Sequence, residues 1–152
     1  MALPNIFTRS VTDGVIERIN KLQADTQPKW GKMSVSQMLA HCCVTYEMMY
    51  EDKHPKPGAF ARFLLKALVK NTVVSETPYK HNSRTAPAFL ITDPKVFETE
   101  KARLIAYLNK TEQMGIAQFD NKESHSFGPL TKLEWNNMLY KHLDHHLSQF
   151  GV

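Results

Sequence analysis

The segment Thr131–Phe150, TKLEWNNMLYKHLDHHLSQF, narrows the folds open to this chain more than any other. Gly128 and Pro129 break the chain ahead of it, and Thr131 and Glu134 then stand at capping-box spacing, which predicts a helix over 131–150. At about 100° per residue, Trp135, Leu139, His142, His146 and Phe150 share one narrow stripe. Lys141 and Asp144 are expected to point away from that stripe, with His145 at its shoulder. Imidazoles four residues apart on one helix face can hold one metal ion between them. They can equally sit in a core with their hydrogen bonds satisfied, and the pair alone leaves both readings open.

Three more segments carry a helical period. Val11, Val15, Ile16, Ile19 and Leu22 predict a helix over 10–26, stopped at Gln27–Pro28. After a connector carrying Trp30 and Gly31, Ser34 and Gln37 form a second capping box and open a helix over 34–51. Its stripe is Val35, Met38, Leu39, Cys42, Tyr46 and Met49. His41 lies at the edge of that stripe beside Gln37, Thr45 and Met48, where a side chain lines a cleft between helices. Asp93 followed by Pro94 reads as N-cap and first turn of a helix over 93–115, with Phe97, Leu104, Ile105 and Leu108 apolar. Glu98, Glu100, Lys101 and Arg103 read as its solvated exterior.

Between these lie breaks. Residues 52–58, DKHPKPG, cannot continue a helix. Ala59–Lys70 is a short amphipathic piece with Phe60, Phe63, Leu64, Ala67 and Leu68 opposite Arg62, Lys66 and Lys70. Such a helix can lie on an anionic membrane, but its pattern reads first as a short helix covering the core. Asn71–Thr92 has no sustained period and reads as a long loop, with Tyr79 and His81 as outlying candidates for function. A second loop, holding His125 and Phe127, leads to the last helix. The expectation is an all-α four-helix bundle with a short extra helix and a long connecting loop, forming one domain over 1–152. Metal sites in such bundles are built from inward side chains of facing helices, and the second and fourth helices are the ones carrying histidine.

The combination WGKMSVSQMLAHC, which includes His41, with YKHLDHHLSQFG resembles the DinB-like (DinB/YfiT-like) superfamily of metal-dependent four-helix-bundle proteins. The resemblance implies one metal ligand on the second helix and an HxxxH pair on the fourth. Residue by residue, the ligands become His41, His142 and His146, while His145 matches a non-ligand position. The resemblance also implies zinc or nickel as the ion, thiol-dependent transfer or isomerisation among the activities of relatives, and a homodimer. The ending HHLSQF departs from the Arg-Gly-Gln of many relatives but leaves the ligands intact.

Composition removes several classes. A net charge of +4, spread along the chain without a polybasic run or basic–aromatic interleaving, gives no nucleic-acid footprint. The apolar runs are too short to span a bilayer, and MALPNIFTRS lacks the apolar core of a secretory signal. With adjacent Cys42 and Cys43 and no other cysteine, reduced thiols and a cytoplasmic location are expected, and Cys42 reads as a core thiol. Three imidazoles leave coordination positions open for water and a small-molecule substrate, unlike a closed structural zinc site. Hydrolysis and thiol transfer both fit, and no general base is identifiable. Gln37, Thr45, Met48, Trp135, Met138 and Gln149 share faces with the histidines and are expected to line the pocket. Metal affinity should fall below about pH 6.5, where free imidazole protonates. The alternative is a non-catalytic metal- or ligand-binding dimeric bundle.

Overall fold

The capped helices of the sequence are the frame of the molecule, a computed structural model that describes residues 2–152. Helix α1 spans Arg9–Asn20, α2 Val35–Tyr50, α5 Phe97–Met114 and α6 Lys132–Gln149. Around the bundle α1 packs on α5 and α6, and α2 packs on the same two. Both capping boxes form as their spacing predicts. Ser34 Oγ accepts from Gln37 N and Gln37 Oε1 accepts from Ser34 N, with Thr131 and Glu134 paired in the same way. Their inner stripes meet in one core that includes Ile19, Met38, Leu39, Cys42, Tyr46, Leu104, Leu108, Trp135, Leu139 and Leu147.

Two helix boundaries differ from expectation. Helix α1 ends at Asn20 because a turn closes just beyond it, with Thr26 Oγ1 accepting from Gln23 N (2.8 Å) and Thr26 N donating to Gln23 O. Helix α5 begins at Phe97, with Val96 as N-cap. The Asp93 carboxylate that was to cap it is held by Lys95 Nζ at 2.7 Å.

Some charged side chains that lie off the apolar stripes are nonetheless buried. Lys141 is 5% exposed. Its ammonium donates to the carbonyls of Thr72 (2.8 Å), Ser75 (2.5 Å) and Thr77 (3.0 Å) and lies over the Tyr79 ring. Burial lowers its pKa to about 8, and three carbonyl acceptors hold the charged form at neutral pH. Glu100, expected in solvent, is buried beside Glu47, and Arg103 bridges both carboxylates between α5 and α2.

Helix α3, Ala59–Leu68, departs furthest. Its apolar face does not cover the core: Phe60, Phe63 and Leu68 are 75%, 67% and 75% exposed. The opposite edge holds it to the body, through partly buried Leu65 and an ion pair from Arg62 to Glu123. A short helix α4, Lys70–Val74, follows and packs on α6. The long loop then runs to α5 with one 3-10 turn at Pro87–Phe89. The loop ahead of α6 contains an antiparallel hairpin absent from the sequence reading, β1 Lys122–Ser124 with β2 Gly128–Leu130, in register Glu123 to Pro129. Strands of three residues are too short to show alternation. Ser124 Oγ closes the turn by accepting from Phe127 N and donating to Gly128 O. Among the described residues no helix is long and apolar enough to cross a membrane.

Candidate metal centre

Where α2 faces α6, the rings of His41, His142 and His146 converge, each offering one nitrogen within 4.8 Å of the others. Their centroids are 5.0 Å (His41 to His142), 4.5 Å (His41 to His146) and 4.8 Å (His142 to His146) apart. The last distance follows from the i, i+4 spacing on α6. His41 and His146 are buried and His142 is partly so.

Each ring is oriented by a hydrogen bond on its far side. His41 Nδ1–H donates to the Phe89 carbonyl at 2.8 Å, on the 3-10 turn of the long loop. That leaves Nε2 with a bare lone pair. His146 Nδ1–H donates to Gln149 Oε1 at 2.8 Å. The orientation of Gln149 is fixed in turn, because its Nε2 donates to the Trp30 carbonyl at 2.7 Å. Gly31 makes this reach possible. It has φ +82°, and a Cβ there would lie 2.6 Å from Gln149 Nε2. Carbonyl acceptors on Nδ1 are the arrangement that fixes a histidine's tautomer for ligation through Nε2.

His142 completes the set. Its Nε2 stands 2.9 Å from His41 Nε2. With the His41 atom bare, the proton between them belongs to His142, whose Nδ1 accepts from Thr45 Oγ1 at 3.4 Å. Moving that proton to Nδ1 frees the third Nε2, and the Thr45 hydroxyl can turn to accept it. Burial keeps all three rings neutral. It lowers His41 against the opposing Phe89 hydrogen bond. His142 is driven well below its ordinary value, by burial first and then by His146, His41 and His145. His146 is lowered to about 3, by burial and then by His41. Three neutral imidazoles with two fixed Nδ1 protons are the donor set a divalent ion requires.

The histidines border a cleft of about 1270 Å³, lined also by Thr45, Met48, Trp135, Met138 and Gln149. Gln37 lies outside it, because its amide is spent on the Ser34 cap and reaches Asp93 O at 3.4 Å. His145 is not part of the cluster. Its ring lies edge-on to Trp30 (5.8 Å) and Tyr79 (5.6 Å), and Trp30 in turn stacks on His81 at 3.8 Å. Of the two outlying loop residues, Tyr79 lines this cleft beside His145, whereas His81 stacks behind Trp30 and lines a smaller neighbouring pocket. Cys42 and Cys43 are buried, and burial pushes the Cys42 thiol up and Cys43 to about 12. Neither is poised as a thiolate nucleophile.

The Phe89 carbonyl was invisible to sequence reasoning, because a backbone acceptor on an aperiodic loop leaves no residue-type signal. Gly31 did leave one: a glycine after Trp30 in a short connector marks a positive φ or a close approach.

The fold and the cluster together define a four-helix bundle whose three-histidine set fits a metal-binding site. The sequence model of the DinB superfamily matches residues 6–150, and the chain belongs to that superfamily. Comparison with curated proteins and with solved structures gives no match.

Proposed function

We propose that this chain is a metal-dependent enzyme, a hydrolase or thiol-dependent transferase, acting on a small molecule with an apolar body and an anionic group. His41, His142 and His146 hold one divalent ion, zinc or nickel. The observation that carries the reading is the convergence of three neutral imidazoles with two Nδ1 protons tied to carbonyl oxygens. When bound, the ion supplies Lewis acidity, lowering the pKa of a water or thiol and polarising a carbonyl.

The chain's own residues supply binding. Met48, Leu65, Phe89, Phe127 and Met138 give the cleft an apolar wall. Lys32, Lys80 and Arg84 add three cations, and no Asp or Glu is among the described lining residues. Such a cleft favours an anion over a cation. With no carboxylate at hand, proton transfer falls to an imidazole of the lining, His125 or His145, or to the substrate itself.

The test is elemental analysis of protein purified without an affinity tag, followed by hydrolase and thiol-transfer panels on metal-loaded protein. Turnover that requires metal and vanishes in a folded His146→Ala variant supports the reading. Stoichiometric metal without turnover on either panel returns the chain to a non-catalytic metal-binding bundle. The homodimer implied by the family resemblance belongs to the same proposal, and a monomer mass by light scattering at micromolar concentration would count against it.

A further inference from the structure

We propose that the outward face of α3 docks on an anionic lipid surface. This inference is independent of the metal centre. A chain of this size normally turns an amphipathic helix's apolar stripe inward, yet Phe60, Phe63, Leu64 and Leu68 on α3 all face solvent. No residue of the helix is buried. It adds only partly buried Leu65 to the packing around the core, and contiguous apolar surface of this kind marks an interaction site.

The charge around the patch selects its occupant. From Lys53 to Ser75 the chain carries Lys53, Lys56, Arg62, Lys66 and Lys70 and not one Asp or Glu. Arg62 and Lys70 reach across to Glu123 and Glu134 on the body, and Lys53 to Glu51. At about 100° per residue, Lys66 falls on the flank of the apolar stripe next to Phe63. It is exposed, and among the described residues it has no ion pair. Exposed phenylalanine and leucine flanked by unneutralised lysine is the pattern of a helix lying in a bilayer interface, with its apolar side in the acyl boundary and its cations at anionic headgroups. A second copy fits less well. A two-fold pairing of this face sets the same acid-free basic flank on both sides. The inner residues Leu65 and Val69 line the cleft, so docking places that wall of the cleft beside the bilayer.

The experiment is co-sedimentation of the full, tag-free chain with vesicles of phosphatidylcholine alone and of phosphatidylcholine mixed with phosphatidylserine. Binding is expected to the mixed vesicles only and to weaken as salt is raised. A double Phe60→Ser, Phe63→Ser variant should lose at least about tenfold in affinity, since each ring contributes its apolar burial. Lys66→Glu should lose a few-fold, and Leu133→Ser, which changes an exposed leucine on α6, should bind as the parent does. Circular dichroism confirms the variants' fold; should the double variant fail it, Lys66→Glu still decides. Failure to sediment with mixed vesicles, or equal sedimentation with both kinds, overturns the proposal. So does a parent dimer in light scattering that the double variant converts to monomer without any vesicle binding, which would assign the face to a second copy.

Discussion

Gln149 Oε1 accepts the Nδ1 proton of His146 at 2.8 Å, while its amide nitrogen is anchored on the Trp30 carbonyl at 2.7 Å. The last turn of α6 and the connector ahead of α2 are thereby joined through one glutamine amide, which also orients an imidazole. This join fixes the ring of one of the three clustered histidines.

Replacing His146 with Ala should abolish stoichiometric zinc or nickel, because two imidazoles from two helices do not hold an ion in competition with water and buffer. His145→Ala should change the metal content little, since its ring packs on Trp30 and Tyr79. Elemental analysis and calorimetric titration of both variants check this. One ion per chain in the His146 variant would remove that residue from the set.

Gln149→Leu keeps the volume and removes the acceptor, and should weaken metal binding about 10–100-fold without eliminating it. Gly31→Ala should act in the same direction through a different atom: its methyl would displace the Gln149 amide. It should also cost about 1–2 kcal/mol of stability from the left-handed backbone. Titration calorimetry and thermal melts separate the two effects.

The pH behaviour of the metal-free protein follows from the depressed imidazoles. Burial, with His41 beside it, lowers folded His146 from its ordinary 6.5 to about 3. Below about pH 6.5 the unfolded chain therefore takes up a proton that the folded chain refuses, so stability is full above that pH and is lost as pH falls toward the folded value. The expected limiting slope is about 1.4 kcal/mol per pH unit from this residue, read by urea unfolding and reduced in His146→Gln. For the same reason protons begin to compete with the metal at a lower pH than free imidazole would dictate. A titration whose midpoint stays at about 6.5 would contradict the burial argument.

Lys141→Met should lower stability by about 3 kcal/mol, since three carbonyl oxygens lose a charged donor while the aliphatic stem is retained. That corresponds to a fall of about 10 °C in Tm for a chain of this length. A change of less than a third of that would mean water replaces the ammonium.

What could be read from residue types was whatever repeats or caps. Ser34 with Gln37, and Thr131 with Glu134, put two helix starts within a residue of where they lie, and the HxxxH spacing placed two imidazoles on one face. Periodicity finds a stripe but not the direction in which it turns. Lys141 lies off the apolar stripe as its position dictates, yet three carbonyls of the 72–77 segment bury it. The α3 stripe was assigned to the core because it is apolar, although Arg62 and Leu65 on its other side make the attachment. Asp93 had the right neighbour for an N-cap, but Lys95 took its carboxylate. The acceptors that orient the clustered imidazoles come from a loop carbonyl and a glutamine, and neither has a spacing rule.

The hydrogen bond from His41 to Phe89 ties one ring of the histidine cluster to the wall of the cleft. Any swing of the Pro87–Phe89 turn away from α2 removes the acceptor that holds the proton on Nδ1. It thereby frees His41 to exchange tautomers and to turn its lone pair elsewhere. The turn that borders the cleft is thus also the one that sets the tautomer of His41.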